Sequence, residues 1–315
     1  MFTFQCSRIN ESACKIAKQV AKEKTTITAG GIAMTDVYQT TRNKEKTMAE
    51  METAMKALID NDIDMIICEY FRNIEEMEWA IELVRSKNKP VAATMCVGPK
   101  GDVDGVSLGE CAVRMAKAGA DLVGLNCLFG PFVMLDCMKI MKDALDKEGL
   151  KPFLMCQPLG YRCPDAGHFG WINIPEFPYA LEPRQITRIE AARYAREAYD
   201  MGVRYIGGCC GFEPYHIRAM AEELRAERGF LPEASNKSEF ARGMFMAKKR
   251  IESNPKDYTG KYDIFKVIFQ QPIKSYCIFL GTPWSIGQNW YHALVDLSPL
   301  LCINNKTSNV SQKLL

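Results

Sequence analysis

The sequence has few histidines, no long apolar run and almost no net charge, and each shortage excludes a class of protein. Three histidines in 315 residues leave little material for a Ser–His–Asp triad or a histidine-rich metal site. No run of about eighteen uncharged apolar residues occurs, so a membrane-spanning helix is not expected. A formal net charge of +2 indicates neither nucleic acid nor an anionic membrane surface as a partner.

Two familiar sequence signatures are also missing. The first residues, Met1–Cys6, contain no basic stretch followed by an apolar one, which is the mark of a secretory signal. The chain has no Gly-x-Gly-x-x-Gly motif, which a dinucleotide-binding turn requires. We therefore expect a cytoplasmic protein that is not of the Rossmann type.

Cysteine, in contrast, is abundant, with 13 residues. An odd number of cysteines in a chain without a visible leader indicates reduced thiols rather than a disulfide framework. We expect most of them to be buried small hydrophobic residues, as at Cys68, Cys96 and Cys156 within apolar runs. The question is which few serve as ligands.

Short apolar runs alternate with amphipathic stretches over most of the chain. The runs predict strands at Thr25–Ile32, Ile63–Phe71, Pro90–Val97, Ala120–Cys127, Phe153–Pro158 and Arg204–Gly211. Helical spacing of apolar residues occurs in Ala13–Ala21, Met134–Leu145 and Ile217–Leu224, with further helices after Ser107 and from Pro183 to Gly202. Strict alternation is typical of a parallel sheet with helices outside, either a (β/α)8 barrel or a doubly wound sheet.

The missing glycine-rich turn favours the barrel. With a strand fragment at Phe2–Phe4, seven strands are visible, so the expected fold is α/β, a (β/α)8 TIM-type barrel that lacks its first strand–helix unit. We assign residues 1–229 to this barrel domain. Residues 230–315 hold 11 Lys+Arg against 6 Asp+Glu and show no clean periodicity, which indicates a divergent, irregular extension.

Three thiols stand at predicted strand ends, where barrels of this type carry their active sites. Cys127 ends one strand, and Cys209 and Cys210 follow another between glycines. Three thiolates around Zn²⁺ leave the fourth tetrahedral position open, as in catalytic rather than structural sites. The alternatives are buried thiols without metal or a vicinal disulfide, and Cys6 and Cys163 are less favoured ligands.

The strand end at Glu69-Tyr70 is a second candidate region. A carboxylate there can pair with a substrate amine, and an aromatic neighbour can form an apolar wall or a surface for an ammonium group. The alternative for Glu69 is a solvated rim carboxylate. His216 precedes the last predicted helix and is interpreted as a cap or packing residue, whereas His168 and His292 have no supporting motif.

Several segments together resemble a known family. Arg204–Arg218 is similar to the zinc-binding segment of the betaine–homocysteine S-methyltransferases, which are zinc-dependent, homocysteine-binding enzymes. Matching motifs, over roughly residues 2–235, are Gly124–Cys127, Glu69–Phe71, Lys89–Cys96, Glu176–Pro178 and Leu181–Arg184. The resemblance implies a (β/α)8 barrel with Cys127, Cys209 and Cys210 on zinc. It also implies Glu69 at the homocysteine amino group and Tyr70 in the methyl-donor pocket.

The implied reaction is methyl transfer from betaine to homocysteine, giving methionine and dimethylglycine. S-methylmethionine is the rival donor, and an inactive zinc- or thiol-binding product is the alternative from another class. The family's opening strand is not found here, Gln5 stands where the family has a tyrosine, and the dimerisation arm is not recognisable beyond about Ser235. We therefore expect a truncated chain of low solubility and activity, with a homo-oligomer implied only by the resemblance.

Overall fold

A parallel sheet organises the molecule. The computed structural model describes residues 6–24 and 26–230, together with the backbone of Phe279–Leu280. Its strands are β1 Ala29–Ile32, β2 Met65–Phe71, β3 Val91–Met95, β4 Leu122–Asn126, β5 Phe153–Gln157, β6 Val203–Ile206 and β7 Phe279–Leu280. The spatial order is β6-β5-β4-β3-β2-β1-β7, and every pairing is parallel.

Helices connect the strands and cover the sheet. They are α1 Cys6–Lys24, α2 Asp36–Thr41, α3 Lys44–Asp60, α4 Ile74–Ser86, α5 Leu108–Lys117, α6 Pro131–Lys147, α7 Arg188–Met201, α8 Pro214–Glu223 and α9 Arg225–Arg228. Because β1 to β6 lie side by side in chain order and in parallel, each connection between them is a βα crossover, and their carboxyl ends meet at one edge.

The sheet is apolar on both faces, which explains the unbroken hydrophobic runs in the sequence. On β2, Ile66 and Cys68 pack into the large core shared with the helices, whereas Met65 and Ile67 belong to a smaller core on the opposite face. Each of the strands β1 to β6 contributes to this second core, which consists of Ala29, Met65, Ile67, Ala92, Leu122, Met155 and Tyr205. This second face is the interior side of the barrel-type sheet.

The predicted α/β alternation and parallel sheet are confirmed, with differences at element ends. The helix expected from Pro183 begins at Arg188, because Thr187 and Glu190 form a capping box there, and Glu182–Arg184 is a separate 3-10 turn. Ser107 caps α5 as expected by accepting a hydrogen bond from the Glu110 amide. The strand predicted at Phe2–Phe4 lies outside the described residues, as does the extension apart from β7.

No helix in residues 6–24 and 26–230 combines the length and the apolar character that a bilayer crossing requires.

Candidate metal centre

The three cysteines singled out in the sequence meet at the carboxyl edge of the sheet. Cys127 directly follows β4, and Cys209 and Cys210 lie in the loop after β6, with β5 between them. All three side chains are nearly or fully buried. The sulfurs of Cys127 and Cys210 are 3.8 Å apart and those of Cys209 and Cys210 are 4.0 Å apart. All three sulfurs lie within 4.8 Å of one another.

These separations fit a single tetrahedral metal ion. With a zinc–sulfur bond of about 2.3 Å, neighbouring corners of a tetrahedron are about 3.8 Å apart. Two observed separations agree with that value to within a few tenths of an ångström. Among residues 6–24 and 26–230, these cysteines are the group of three potential metal-ligating side chains whose ligand atoms all lie within 4.8 Å of one another. The donor set therefore fits zinc with a fourth position left open.

The backbone around the sulfurs is held by bonds between neighbouring loops. The Cys127 amide donates to the Gln157 carbonyl at 2.9 Å, and the Cys209 amide donates to the Pro158 carbonyl at 2.7 Å. The Cys210 carbonyl accepts from the Gly160 amide at 2.7 Å. The end of β5 thus bridges the two cysteine-bearing loops and sets their separation.

Glycines allow the loop after β6 to fold this tightly. A Cβ atom on Gly208 would lie 2.1 Å from the Phe212 ring. Gly211 has φ +81°, and a Cβ atom there would lie 2.4 Å from the ring of Tyr161. Both positions therefore require glycine if the adjacent cysteines are to keep their places.

The three thiols differ in acidity. Burial acts to raise the pKa of Cys127, but hydrogen bonds from Cys209, Cys210 and Cys96 outweigh it and hold that pKa well below the usual range. Burial and the neighbouring sulfur of Cys127 raise the pKa of Cys209 well above its usual value. Cys127 is therefore the first thiolate of the cluster, and a bound metal would displace the remaining thiol protons.

Glu69 and Tyr70 lie at the end of β2 on the same edge of the sheet. Burial, followed by the charge of Cys127, raises the pKa of the Glu69 carboxyl to about 8, so Glu69 lies in the electrostatic field of the cluster. Tyr70 has φ +64°, and its amide donates to the Asn126 side chain at 3.1 Å. The structure therefore brings both residues to the edge that carries the three thiols.

None of the other candidate ligands whose side chains are described belongs to the cysteine cluster. Cys163 is buried, but it is not among the sulfurs of the cluster, and the side chain of Cys6 lies outside the described part of the chain. His216 caps α8, as the sequence predicts: its Nδ1 accepts from the Glu213 amide at 2.9 Å. His292 also lies outside the described residues, and the His168 ring is 5.0 Å from that of Phe169.

Sequence reasoning missed several residues at this edge. The sequence predicts a packing role for Cys96, but after burial the neighbouring Cys127 also raises the pKa of its thiol. The Asn126 Nδ2 and Gln157 Oε1 atoms are buried without a hydrogen-bond partner. Both residues stand at strand ends beside cysteines, a signal that the sequence contained, and both atoms can bond a ligand.

A long loop between β5 and α7 covers the cysteine-bearing loops. The Trp171 amide donates to the Leu128 carbonyl at 2.9 Å, and the Trp171 ring stacks on Tyr161 with centroids 5.5 Å apart. Arg184 ties this loop together through ion pairs with Asp165 and Glu176. This loop therefore packs directly against the loop that carries Cys127.

The fold and the site define an α/β barrel-type protein with a candidate metal centre of three cysteines at the carboxyl ends of its strands. The family model for homocysteine S-methyltransferase matches residues 3–224. The chain therefore belongs to the homocysteine S-methyltransferase family.

Individual relatives agree with this assignment. Betaine–homocysteine S-methyltransferase 1 of Danio rerio is 52% identical over 235 residues, which are 75% of this chain and 59% of the relative. The Mus musculus protein of the same name is 53% identical over 230 residues, 73% of this chain and 56% of the relative. The S-methylmethionine–homocysteine S-methyltransferase of Rattus norvegicus is 49% identical over 229 residues, 73% of this chain and 63% of the relative.

The chain thus spans less than two thirds of the length of these relatives. Among solved structures, the apo form of the homocysteine methyltransferase MmuM from Escherichia coli matches with a TM-score of 0.50 and 16% identity. The match covers 71% of this chain and 76% of that one. This likeness supports the barrel-type fold.

Proposed function

We propose that this chain transfers a methyl group from betaine to homocysteine, giving methionine and dimethylglycine, with zinc held by Cys127, Cys209 and Cys210. The observation that carries the proposal is the tetrahedral spacing of the three buried sulfurs, which leaves one corner open. Family membership and the identity to betaine–homocysteine S-methyltransferases support the reaction.

The residues at the carboxyl edge suit this chemistry. When bound, zinc would activate the acceptor thiol, because a thiol coordinated to the metal loses its proton and becomes a thiolate. Glu69 accepts hydrogen bonds from the homocysteine ammonium group, and Tyr70 lines the donor pocket. The thiolate sulfur forms a bond to the methyl carbon as the carbon–nitrogen bond of betaine breaks, and the nitrogen keeps the electron pair. Such a displacement needs alignment and a dry pocket rather than an acid–base pair.

S-methylmethionine is the second candidate donor, because the rat enzyme named for that donor is nearly as similar as those named for betaine.

We further propose a division into a barrel domain, residues 1–229, and an extension, residues 230–315. A cytoplasmic location is supported by ten described cysteines that are all buried and free. A homo-oligomer and an inactive zinc-binding product remain predictions.

Zinc content tests the centre directly. We expect the purified chain, after exposure to zinc, to retain about one ion per molecule, and Cys209→Ala to lose most of it because one of three ligands is gone. Cys137→Ala is the matched control: Cys137 is a buried thiol on α6 outside the cluster, so this variant should keep its zinc. Unchanged zinc content in Cys209→Ala would contradict the proposal.

A separate assay of methionine formation, with betaine or with S-methylmethionine as the donor, identifies the methyl donor. A zinc-loaded chain that forms no methionine with either donor is the non-catalytic product.

A further inference from the structure

A cavity of about 290 Å³ lies among the loops that follow β3, β4 and β5. Its lining comes from residues 98–100 after β3, from Phe129 and Val133 around the start of α6, and from the segment 163–168 of the long loop before α7. The volume lies near the lower end of the range of about 300–1,000 Å³ for ligand pockets. The cavity is therefore large enough for a small organic molecule.

The cavity is separate from the residues assigned above to the metal and the substrates. None of the three clustered cysteines lines it, and neither Glu69 nor Tyr70 does. Phe129 follows Cys127 by two residues, and a Cβ atom on Gly98 would lie 2.3 Å from the Phe129 ring. This close approach of the loops after β3 and β4 forms one wall of the cavity.

The walls of the cavity are largely apolar. Phe129 contributes an aromatic ring, and Val133 contributes a branched aliphatic side chain. Pro99, Pro164 and Ala166 add further hydrocarbon surface. Apolar walls with a few polar groups are typical of sites for small molecules.

The charge on the lining is positive. Lys100 and His168 are its two basic side chains, and no carboxylate lines the cavity. Both basic residues are exposed, so the cavity opens to solvent on their side. Cys163 also lines it, and burial raises the pKa of this thiol to about 11, so the thiol is uncharged at neutral pH. No group in the lining therefore opposes the charge of Lys100.

The acidic side chains of the same loops are engaged with other groups. Asp165 lies between two lining residues but forms an ion pair with Arg184 at 2.6 Å. Asp104 pairs with Arg42 at 2.7 Å, and Asp102 accepts hydrogen bonds from backbone amides. These three carboxylates therefore do not line the cavity and have partners of their own.

The first turn of α6 adds to the positive potential at the cavity. This helix has 17 residues, its N-cap is Gly130, and no side chain caps its first amides. Val133, the third residue of the helix, lines the cavity. Because the N-terminal end of a helix carries a partial positive charge, it favours an anion together with Lys100 and His168.

We propose that this cavity binds a small organic anion that consists of a carboxylate group and a compact apolar body. The carboxylate lies at the open side, within reach of Lys100 and His168, and the apolar body lies against Phe129 and Val133. The inference uses none of the residues of the proposed methyl transfer, so it stands independently of that function.

Calorimetric titration of the full chain at low ionic strength with two probes tests the charge selectivity. The probes are 3-phenylpropionate and its neutral analogue of the same shape, 3-phenylpropionamide. We expect the acid to bind more tightly than the amide. Lys100→Gln should weaken the binding of the acid about 2- to 5-fold, the range for an exposed ion pair, and leave that of the amide unchanged.

Two further variants locate the binding site. Lys151→Gln is the matched control, because Lys151 is an exposed lysine just before β5, at the opposite edge of the sheet, and should bind both probes as the wild type does. Ala166→Phe places a ring in the cavity and should weaken both probes about 10-fold or more, because the space for the apolar body is lost.

Several results would overturn the proposal. These are a wild-type chain that binds neither probe, equal affinity for the acid and the amide, and unchanged affinity for the acid in Lys100→Gln or Ala166→Phe. Inorganic phosphate that binds as tightly as the acid would show that the apolar walls do not select the ligand. Displacement of the acid by excess homocysteine would place the probe in the substrate site instead of this cavity.

Discussion

Individual backbone conformations decide how the three sulfurs meet. Cys127 and Leu128 both have positive φ values, +58° and +59°, at the point where β4 ends. A side chain in this region costs about 1–2 kcal/mol, so the surrounding bonds must outweigh the strain. The Cys127 amide and carbonyl are both engaged, with Gln157 and Phe129 respectively. This local turn places the Cys127 sulfur beside those of the β6 loop.

At the residue scale, Gly211→Ala should weaken zinc binding. The new Cβ atom would lie 2.4 Å from the Tyr161 ring, so the loop that carries Cys210 must move. Gly229→Ala is the matched control, because Gly229 also has a positive φ, +77°, but a Cβ atom there meets nothing within 4 Å. Both variants should lose about 1 kcal/mol of stability from backbone strain. Competition with a chromogenic chelator should show lower zinc affinity for Gly211→Ala alone, and equal affinity in the two variants would contradict the expectation.

Hydrogen bonds between buried polar groups connect separate secondary-structure elements. At the start of α4, the Glu76 carboxylate is fully buried and accepts bonds from the Thr35 amide and hydroxyl at 2.7 and 2.9 Å. Thr35 is also the N-cap of α2, so one carboxylate ties the loop after β1 to the helix after β2. Burial raises the pKa of Glu76 to about 7, although the Thr35 bonds act against the rise.

At the element scale, the raised pKa of Glu76 predicts a pH dependence of stability. The folded protein binds the proton of Glu76 more tightly than the unfolded chain, whose carboxyl titrates near 4.5. The contribution of protonated Glu76 is therefore fully present below about pH 4.5 and is lost as the pH rises through about 7. We expect the thermal midpoint of the wild type to fall across this interval relative to that of Glu76→Gln.

The control for this measurement is Glu45→Gln, at an exposed glutamate in the first turn of α3. Its midpoint should follow that of the wild type at every pH. If Glu76→Gln also follows the wild type from pH 4.5 to 8, the carboxyl of Glu76 does not titrate in this range, and the assigned cause is wrong.

The sheet formed by the described strands is open where a complete barrel would be closed. Within residues 6–24, 26–230 and 279–280, β6 pairs on one side only, with β5, whereas β1 has β2 on one side and β7 on the other. An unpaired strand presents free amide and carbonyl groups, which promote association with other chains.

At the scale of the whole molecule, hydrogen exchange measured by mass spectrometry should rank the strands by the exchange rates of their backbone amides. Amides of β3 and β4, paired on both sides and buried on both faces, should exchange slowest, and those of β6 should exchange markedly faster. The helix α6, which packs against β4 and β5, provides the slow reference in the same experiment. Protection of β6 equal to that of β4 would show that another segment or a second molecule pairs with its free edge.

Much of this architecture could be predicted from the sequence. The sequence predicts all six strands of residues 26–230, because buried parallel strands are apolar on both faces and form continuous hydrophobic runs. The start of α7 could not be located from Pro183 alone, since the capping box of Thr187 and Glu190 competes with the proline signal and begins the helix five residues later. Two positive φ values at Cys127 and Leu128 also have no signature in residue type.

The sequence by itself determined the strand–helix alternation, the edge of the sheet that carries the candidate site and the choice of the three candidate thiols. These follow from local periodicity and from the rule that parallel strands end at one edge. Only the tertiary structure decided that the sulfurs lie at tetrahedral spacing and that the end of β5 bridges the two loops that carry them. The reason is physical: distances and unpaired charges depend on contacts between residues far apart in the chain, whereas periodicity is a property of neighbours.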